Sequence, residues 1–114
     1  MTYNFPKHIA GDTWDGISTI TILSQGSAIN LNNCEVSIQV RSWQNLASPV
    51  FFEFSNLNNS ILIIQPNNGT INIPPQIVDI PTGLYKYDLK VKFPTGNIKT
   101  YLKGDWEILP SITR

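Results

Sequence analysis

Apolar and polar residues alternate with a period of two through most of this chain. No segment holds the i, i+3, i+4, i+7 apolar spacing of an amphipathic helix for three turns without meeting Gly, Pro or an Asn cluster. Cys34 to Arg41 places Val36, Ile38 and Val40 on one side and Glu35, Ser37, Gln39 and Arg41 on the other, as a strand does when one face is buried. Ile17 to Ser24 reads likewise, with Ile20 and Ile22 together. Phe51 to Phe54 and Ile61 to Ile64 are short apolar runs set among the turn clusters Asn56 to Ser60 and Pro66 to Gly69. Thr70 to Ile73 is a further strand, stopped by Pro74 and Pro75. The clearest element runs from Leu84 to Phe93, where Tyr85, Tyr87, Leu89, Val91 and Phe93 share one face and Lys86, Asp88, Lys90 and Lys92 share the other. Pro94 to Asn97 supplies a hairpin turn in which Gly96 can take a positive φ. Ile98 to Ile108 then returns with Ile98, Thr100, Leu102, Trp106 and Ile108 on one side and Tyr101 facing outward among lysines.

Short strands at intervals of about ten residues, with turn signals between them, predict a β-sandwich or small barrel. The stretch from Asp79 to Tyr87 narrows the choice. In immunoglobulin-like folds a small residue two positions before a Tyr, at the corner entering the penultimate strand, marks a tyrosine corner, and Gly83 with Tyr85 fits it. The fold expected is all-β, an immunoglobulin-like antiparallel β-sandwich of about seven strands.

With 114 residues there is room for one core. Residues 1–10 read as an N-terminal arm and residues 11–114 as a single domain. Twelve Asn, eight Pro and seven Gly favour turns over helix. Eight basic residues balance eight acidic ones, so no global field draws nucleic acid or an anionic membrane. The lone Cys34 has no internal disulfide partner. The start of the chain lacks a basic stretch followed by an apolar run, and no window approaches the ~18 apolar residues of a membrane span. A protein made in the cytoplasm is the expectation.

Candidate chemistry is sparse, and no enzyme is expected. Asp105 and Glu107 would project to one face of a strand, but glycoside hydrolysis needs two carboxyls across a cleft, and adjacent carboxylates on a terminal strand are more commonly solvated. Asp12 and Asp15 lie in Gly11-Asp-Thr-Trp-Asp-Gly16, which lacks the alternating oxygens and closing Glu of a calcium loop. His8 is the single histidine and stands beside no nucleophile elbow, so it reads as a surface or interface residue. Cys34 is in phase with Val36 and points into the core. The glycines are scattered, so no phosphate cradle forms and no cofactor or metal is expected. Lys86, Lys90, Lys92, Lys99 and Lys103 gather on the terminal hairpin with Tyr101. Such interleaving can bind nucleic acid, but lysines also protect an exposed strand edge, and the second reading is preferred. Asn58 and Asn68 begin glycosylation acceptors that read as turn chemistry in a protein without a secretory route.

Several aromatics exceed what so small a core is expected to need. Trp14 follows a Gly-Asp-Thr turn, Trp43 falls out of phase with the Val36 strand, and Tyr3 and Phe5 precede the first clear strand. With His8 they form the candidate interface. An aromatic carbohydrate-binding surface would use the same tryptophans.

The motif order resembles small immunoglobulin-like domains of tailed-phage virion proteins, such as the N-terminal domain of baseplate upper proteins. It runs from the arm and Gly11-Asp-Thr-Trp14 through Val36-Ser-Ile-Gln-Val40-Arg41 to Pro81-Thr-Gly83-Leu-Tyr85-Lys-Tyr87-Asp88-Leu89. Gly96, Thr100, Leu102-Lys-Gly104, Trp106-Glu-Ile108 and Ile112-Thr113-Arg114 complete it. Baseplate upper proteins continue into a helical stalk, whereas this sequence stops at Arg114. The resemblance implies a non-catalytic virion component, in tail, baseplate or fibre attachment, joined to other virion proteins and to copies of itself. A capsid decoration protein or a carbohydrate-binding module are the alternatives. It also implies an arm, Thr2 to Ile9, that orders on contact and is dispensable for the fold.

Overall fold

The computed structural model describes residues 3–43 and 50–110; Thr2 and the Ile112-Thr113-Arg114 motif lie outside the described residues. The chain is all-β. The strands are β1 (His8–Ile9), β2 (Thr13–Trp14), β3 (Ile17–Thr21), β4 (Leu23–Ser24), β5 (Ser27–Ala28), β6 (Glu35–Ser42), β7 (Phe52–Ser55), β8 (Leu62–Gln65), β9 (Thr70–Ile73), β10 (Gln76–Ile77), β11 (Gly83–Lys92) and β12 (Ile98–Leu109). The seven of four or more residues are those expected from the alternation and from the short apolar runs. The five two-residue strands are too short to leave a periodic signal.

Two sheets share one core in a sandwich-like arrangement. The larger has the order β1-β12-β11-β6-β7 and the smaller β3-β9-β8, with β10-β2 and β4-β5 as separate ribbons. All pairings are antiparallel except β1 with β12. The alternation explains the core directly: Val36, Ile38 and Val40 of β6 and Tyr85, Tyr87, Leu89 and Val91 of β11 are all buried, and meet Ile71 and Ile73 of β9 within one cluster. Trp106 is fully buried near its middle.

Three departures from the sequence pattern have local causes. Ile22 ends β3 because its backbone turns aside, donating its N–H to the carbonyl of Gly69 and accepting from Ile29. Gly69, at φ +63°, fits there because a Cβ would lie 2.8 Å from the carbonyl oxygens of both Ile22 and Ile29. A register shift between Leu89 and Lys90 pairs Lys90 with Thr100, so β12 changes phase at Tyr101. Ile98 and Thr100 are therefore exposed, contrary to the uninterrupted alternation, while Tyr101 is half-buried against Phe93 rather than standing outward.

Candidate functional site

The residues nominated as an interface separate into two groups. Phe5, His8 and Trp14 are buried, which corrects their assignment to an exposed surface; Tyr3 and Trp43 are exposed. The reason is the course of residues 3–10, which lie along β12 instead of extending as an arm. Tyr3 and Phe5 donate backbone N–H groups to the carbonyls of Lys103 and Asp105, and Ala10 donates to Leu109. Between these bonds β1 forms the parallel edge, His8 opposite Ile108 and Ile9 opposite Leu109. Asn4 Oδ1 accepts from the backbone of Asp105, and the Trp106 indole N–H donates to the carbonyl of Pro6 at 2.9 Å.

Pairing along β12 carries Phe5 inward. Its ring stacks on Tyr87 with centroids 4.0 Å apart, and meets Trp14 at 5.0 Å and Trp106 at 5.2 Å. Offset and edge-on pairs of this kind contribute about 0.5–1.5 kcal/mol each beyond burial. Trp14 reaches the same cluster because β2 pairs with β10, so the aromatics that look surplus in the sequence are core. His8 Nε2 lies 3.1 Å from the carbonyl of Val78, which ties β1 to the segment before β11.

Gly104 makes this closure possible, and the sequence reading passes over it. A Cβ there would overlap the Tyr3 carbonyl oxygen and sit 2.8 Å from the Tyr87 hydroxyl, which donates to that same oxygen. Burial, with Tyr3 and Asp105 nearby, pushes the Tyr87 hydroxyl well above the usual phenol range. At the stretch nominated as a corner, Gly83 has φ +153° and the Tyr85 hydroxyl donates to the carbonyl of Pro81. Burial raises the Tyr85 hydroxyl as well.

Two surface features remain as candidate sites. At one end of the larger sheet, Trp43, half-exposed at 50 %, donates its backbone N–H to Leu84, itself 53 % exposed, while Phe51 packs edge-on against Tyr85. The outer face of the same sheet holds a shallow concavity of about 750 Å³ lined by Gln39, Arg41, Lys86, Asp88, Lys90 and Lys103, among others. Acids and bases alternate across it: Lys86 stands opposite Asp105, and Asp88 opposite Lys103. Lys86 Nζ lies 2.6 Å from Asp105 Oδ1, and Gln39 donates to Glu53 at 2.7 Å. Such a surface can hold a polar partner by hydrogen bonds, and its exposed ion pair contributes at most about 1 kcal/mol to stability.

The remaining candidates have ordinary surroundings. Asp105 is engaged by Lys86, and Glu107 lies 3.5 Å from Lys7, so each carboxylate has its own lysine on a solvated strand. Cys34 is buried, its Sγ 3.6 Å from the carbonyl of Asn32, and burial pushes the thiol up. Among the described residues, no three His, Cys, Asp or Glu side chains gather as a metal site. No family model matches the sequence, and no curated protein matches it.

Proposed function

We propose that this chain is a structural component of a tailed-phage virion, an immunoglobulin-like module in tail, baseplate or fibre attachment that acts through protein–protein contacts in multiple copies. The immunoglobulin-like reading draws on the Tyr85–Pro81 corner and on the strand order. The neighbours β6-β11-β12 correspond to the C-F-G sheet of such domains, and β3-β9-β8 to the B-E-D strands. The virion reading draws on the motif order from Gly11 to Ile108 within that frame.

The observation that carries an assembly role is the exposed group Trp43, Leu84 and Phe51 at one end of the larger sheet. Large apolar side chains beside a polar surface form the anchor-and-rim pattern of protein interfaces. The partners would be other virion proteins and further copies of the chain, assembled in the host cytoplasm. Mass spectrometry of purified particles from cells encoding the chain should detect it in several copies per particle. Trp43→Ala, on an exposed side chain, should reduce incorporation while leaving the unfolding midpoint unchanged. Particles lacking the wild-type chain would overturn the proposal.

Exposure of Trp43 also favours one alternative, a carbohydrate-binding surface. That reading predicts glycan binding lost in Trp43→Ala and kept in conservative variants of the buried Trp14.

A further inference from the structure

Charge is partitioned between the two sheets. No charged residue occurs between Asp15 and Glu35, or between Glu53 and Asp79. These two segments make up more than a third of the chain and contain β3, β4, β5, β8, β9 and β10, so the whole of the smaller sheet and both ribbon strands beside it are uncharged. The segments are continuous in space: Ile22 and Leu31 bond to Gly69 and Pro66, and the Gln76 side chain donates to the carbonyl of Ser60.

The outer side of this sheet is also partly apolar. Leu62 and Ile64 of the edge strand β8 are 42 % and 48 % exposed, and Leu62 stands opposite Asn72, whose side chain bonds to the carbonyl of Ser18. Beyond them Thr21 and Thr70 pair through their hydroxyls. Among the described residues no strand pairs with the outer edge of β8. Exposed edges are ordinarily guarded by lysines, prolines or inward charges. Here the lysines of the terminal hairpin lie on β11 and β12, interior strands of the larger sheet, so they protect no edge, contrary to the reading preferred from the sequence, and β8 has only the irregularity between Ile63 and Gln65.

We infer that this uncharged face, centred on Leu62 and Ile64, is the docking surface for a second copy of the same chain. Burying a charge against an apolar face is costly unless it is paired, so a face with no charge fits a partner surface that also has none. The surface of that kind at hand is its own counterpart. A two-fold axis through β8 sets Leu62 and Ile64 of each copy against the other and leaves every ion pair of the larger sheets in water.

Sedimentation velocity of the full chain from about 10 to 500 µM tests this. The expected result is a monomer–dimer equilibrium in the wild type, weakened at least about tenfold in Leu62→Lys and in the double variant Leu62→Lys/Ile64→Lys, where like charges meet across the axis. Mixing the double lysine variant with Leu62→Glu/Ile64→Glu should restore a dimer that neither forms alone. Lys90→Glu, on the other sheet, should leave the equilibrium unchanged. Far-UV circular dichroism verifies the fold of each variant, and the single substitution serves if the double one fails to fold. A wild type monomeric throughout the range, or a dimer indifferent to charges at Leu62 and Ile64, overturns the inference, including the case where the face binds a different protein. The dimer is independent of the virion reading: a monomer found in particles removes this inference alone, and a dimer absent from particles removes the other alone.

Discussion

Replacing Gly104 with alanine adds one methyl group where the N-terminal segment crosses β12. Gly104 does not have a positive φ, so alanine meets no backbone penalty there and the effect is steric. The new Cβ would overlap the Tyr3 carbonyl oxygen and lie 2.7 Å from its carbon, against backbone that has no flexible end to swing aside. The segment must lift. The bond from Tyr3 N–H to Lys103, 3.0 Å long, is then lost together with the Tyr87–Tyr3 bond, at about 1 kcal/mol each. The Tyr87 hydroxyl, left without its acceptor in a buried place, adds about 1–3 kcal/mol. If the lift reaches Phe5, withdrawal of its ring approaches the cost of removing a buried Phe, about 3–5 kcal/mol. Gly104→Ala should therefore lower unfolding free energy by about 3–5 kcal/mol in urea titration, and by more if Phe5 is withdrawn. Amide exchange at residues 3–6 should rise more than in β6 or β11, and tryptophan emission should shift as Phe5 leaves Trp14 and Trp106. A loss below about 0.5 kcal/mol, the range of ordinary surface changes, with exchange at residues 3–6 unaltered, would refute the reasoning.

Three further outcomes follow. Tyr85→Phe should cost about 1–1.5 kcal/mol by equilibrium unfolding, because the Pro81 carbonyl loses its donor while the ring stays packed. Tyr87, Tyr85 and Cys34 all have protonation equilibria raised by burial, so the unfolded chain releases their protons first. Stability from these groups is fully present below the ordinary values of 9.0 for the thiol and 10.0 for the phenols, and is lost as pH rises beyond them; the decline should be shallower in Tyr87→Phe, measured by urea midpoints across the alkaline range. Truncation of residues 1–9 should lower unfolding free energy by at least about 3 kcal/mol, since it removes Phe5 from the core; a melting curve identical to the full chain would restore the picture of a dispensable arm.

The long strands were legible because each places one residue in two against the same core. The Val36-Ile38-Val40 and Tyr85-Tyr87-Leu89-Val91 series are local patterns, and the Gly83–Tyr85 corner is contained in a few adjacent residues. What escaped depends on residues far apart. Phe5 and Trp14 look superfluous until Phe5 is set on Tyr87, and Trp14 enters through a strand of two residues. Gly104 looks like an ordinary glycine in a strand because the atoms that exclude its Cβ belong to Tyr3. The change of phase at Tyr101 comes from a pairing shift with β11, which the alternation of β12 alone does not contain. Of the nominated aromatics, Tyr3 and Trp43 are exposed; Leu84 and Phe51 were assigned to strands, and their exposure follows from lying where the sheet ends.

The crossing of the N-terminal segment over β12 also orders events in time. Residues 3–9 leave the ribosome before every other strand of the described fold, and their partners, Lys103 to Leu109, leave it after them all. The bond from Trp106 to Pro6 spans 100 residues. A nascent chain therefore holds Phe5 exposed while β6, β9 and β11 are being synthesised, and completes its core only when β12 arrives. Contacts so distant in sequence slow folding, because the entropy of closing the loop must be overcome before they form. Between the emergence of β12 and closure, the place beside Tyr87 and Trp106 is open to residues 3–9 of another copy, which makes that interval the time when neighbouring chains can exchange strands.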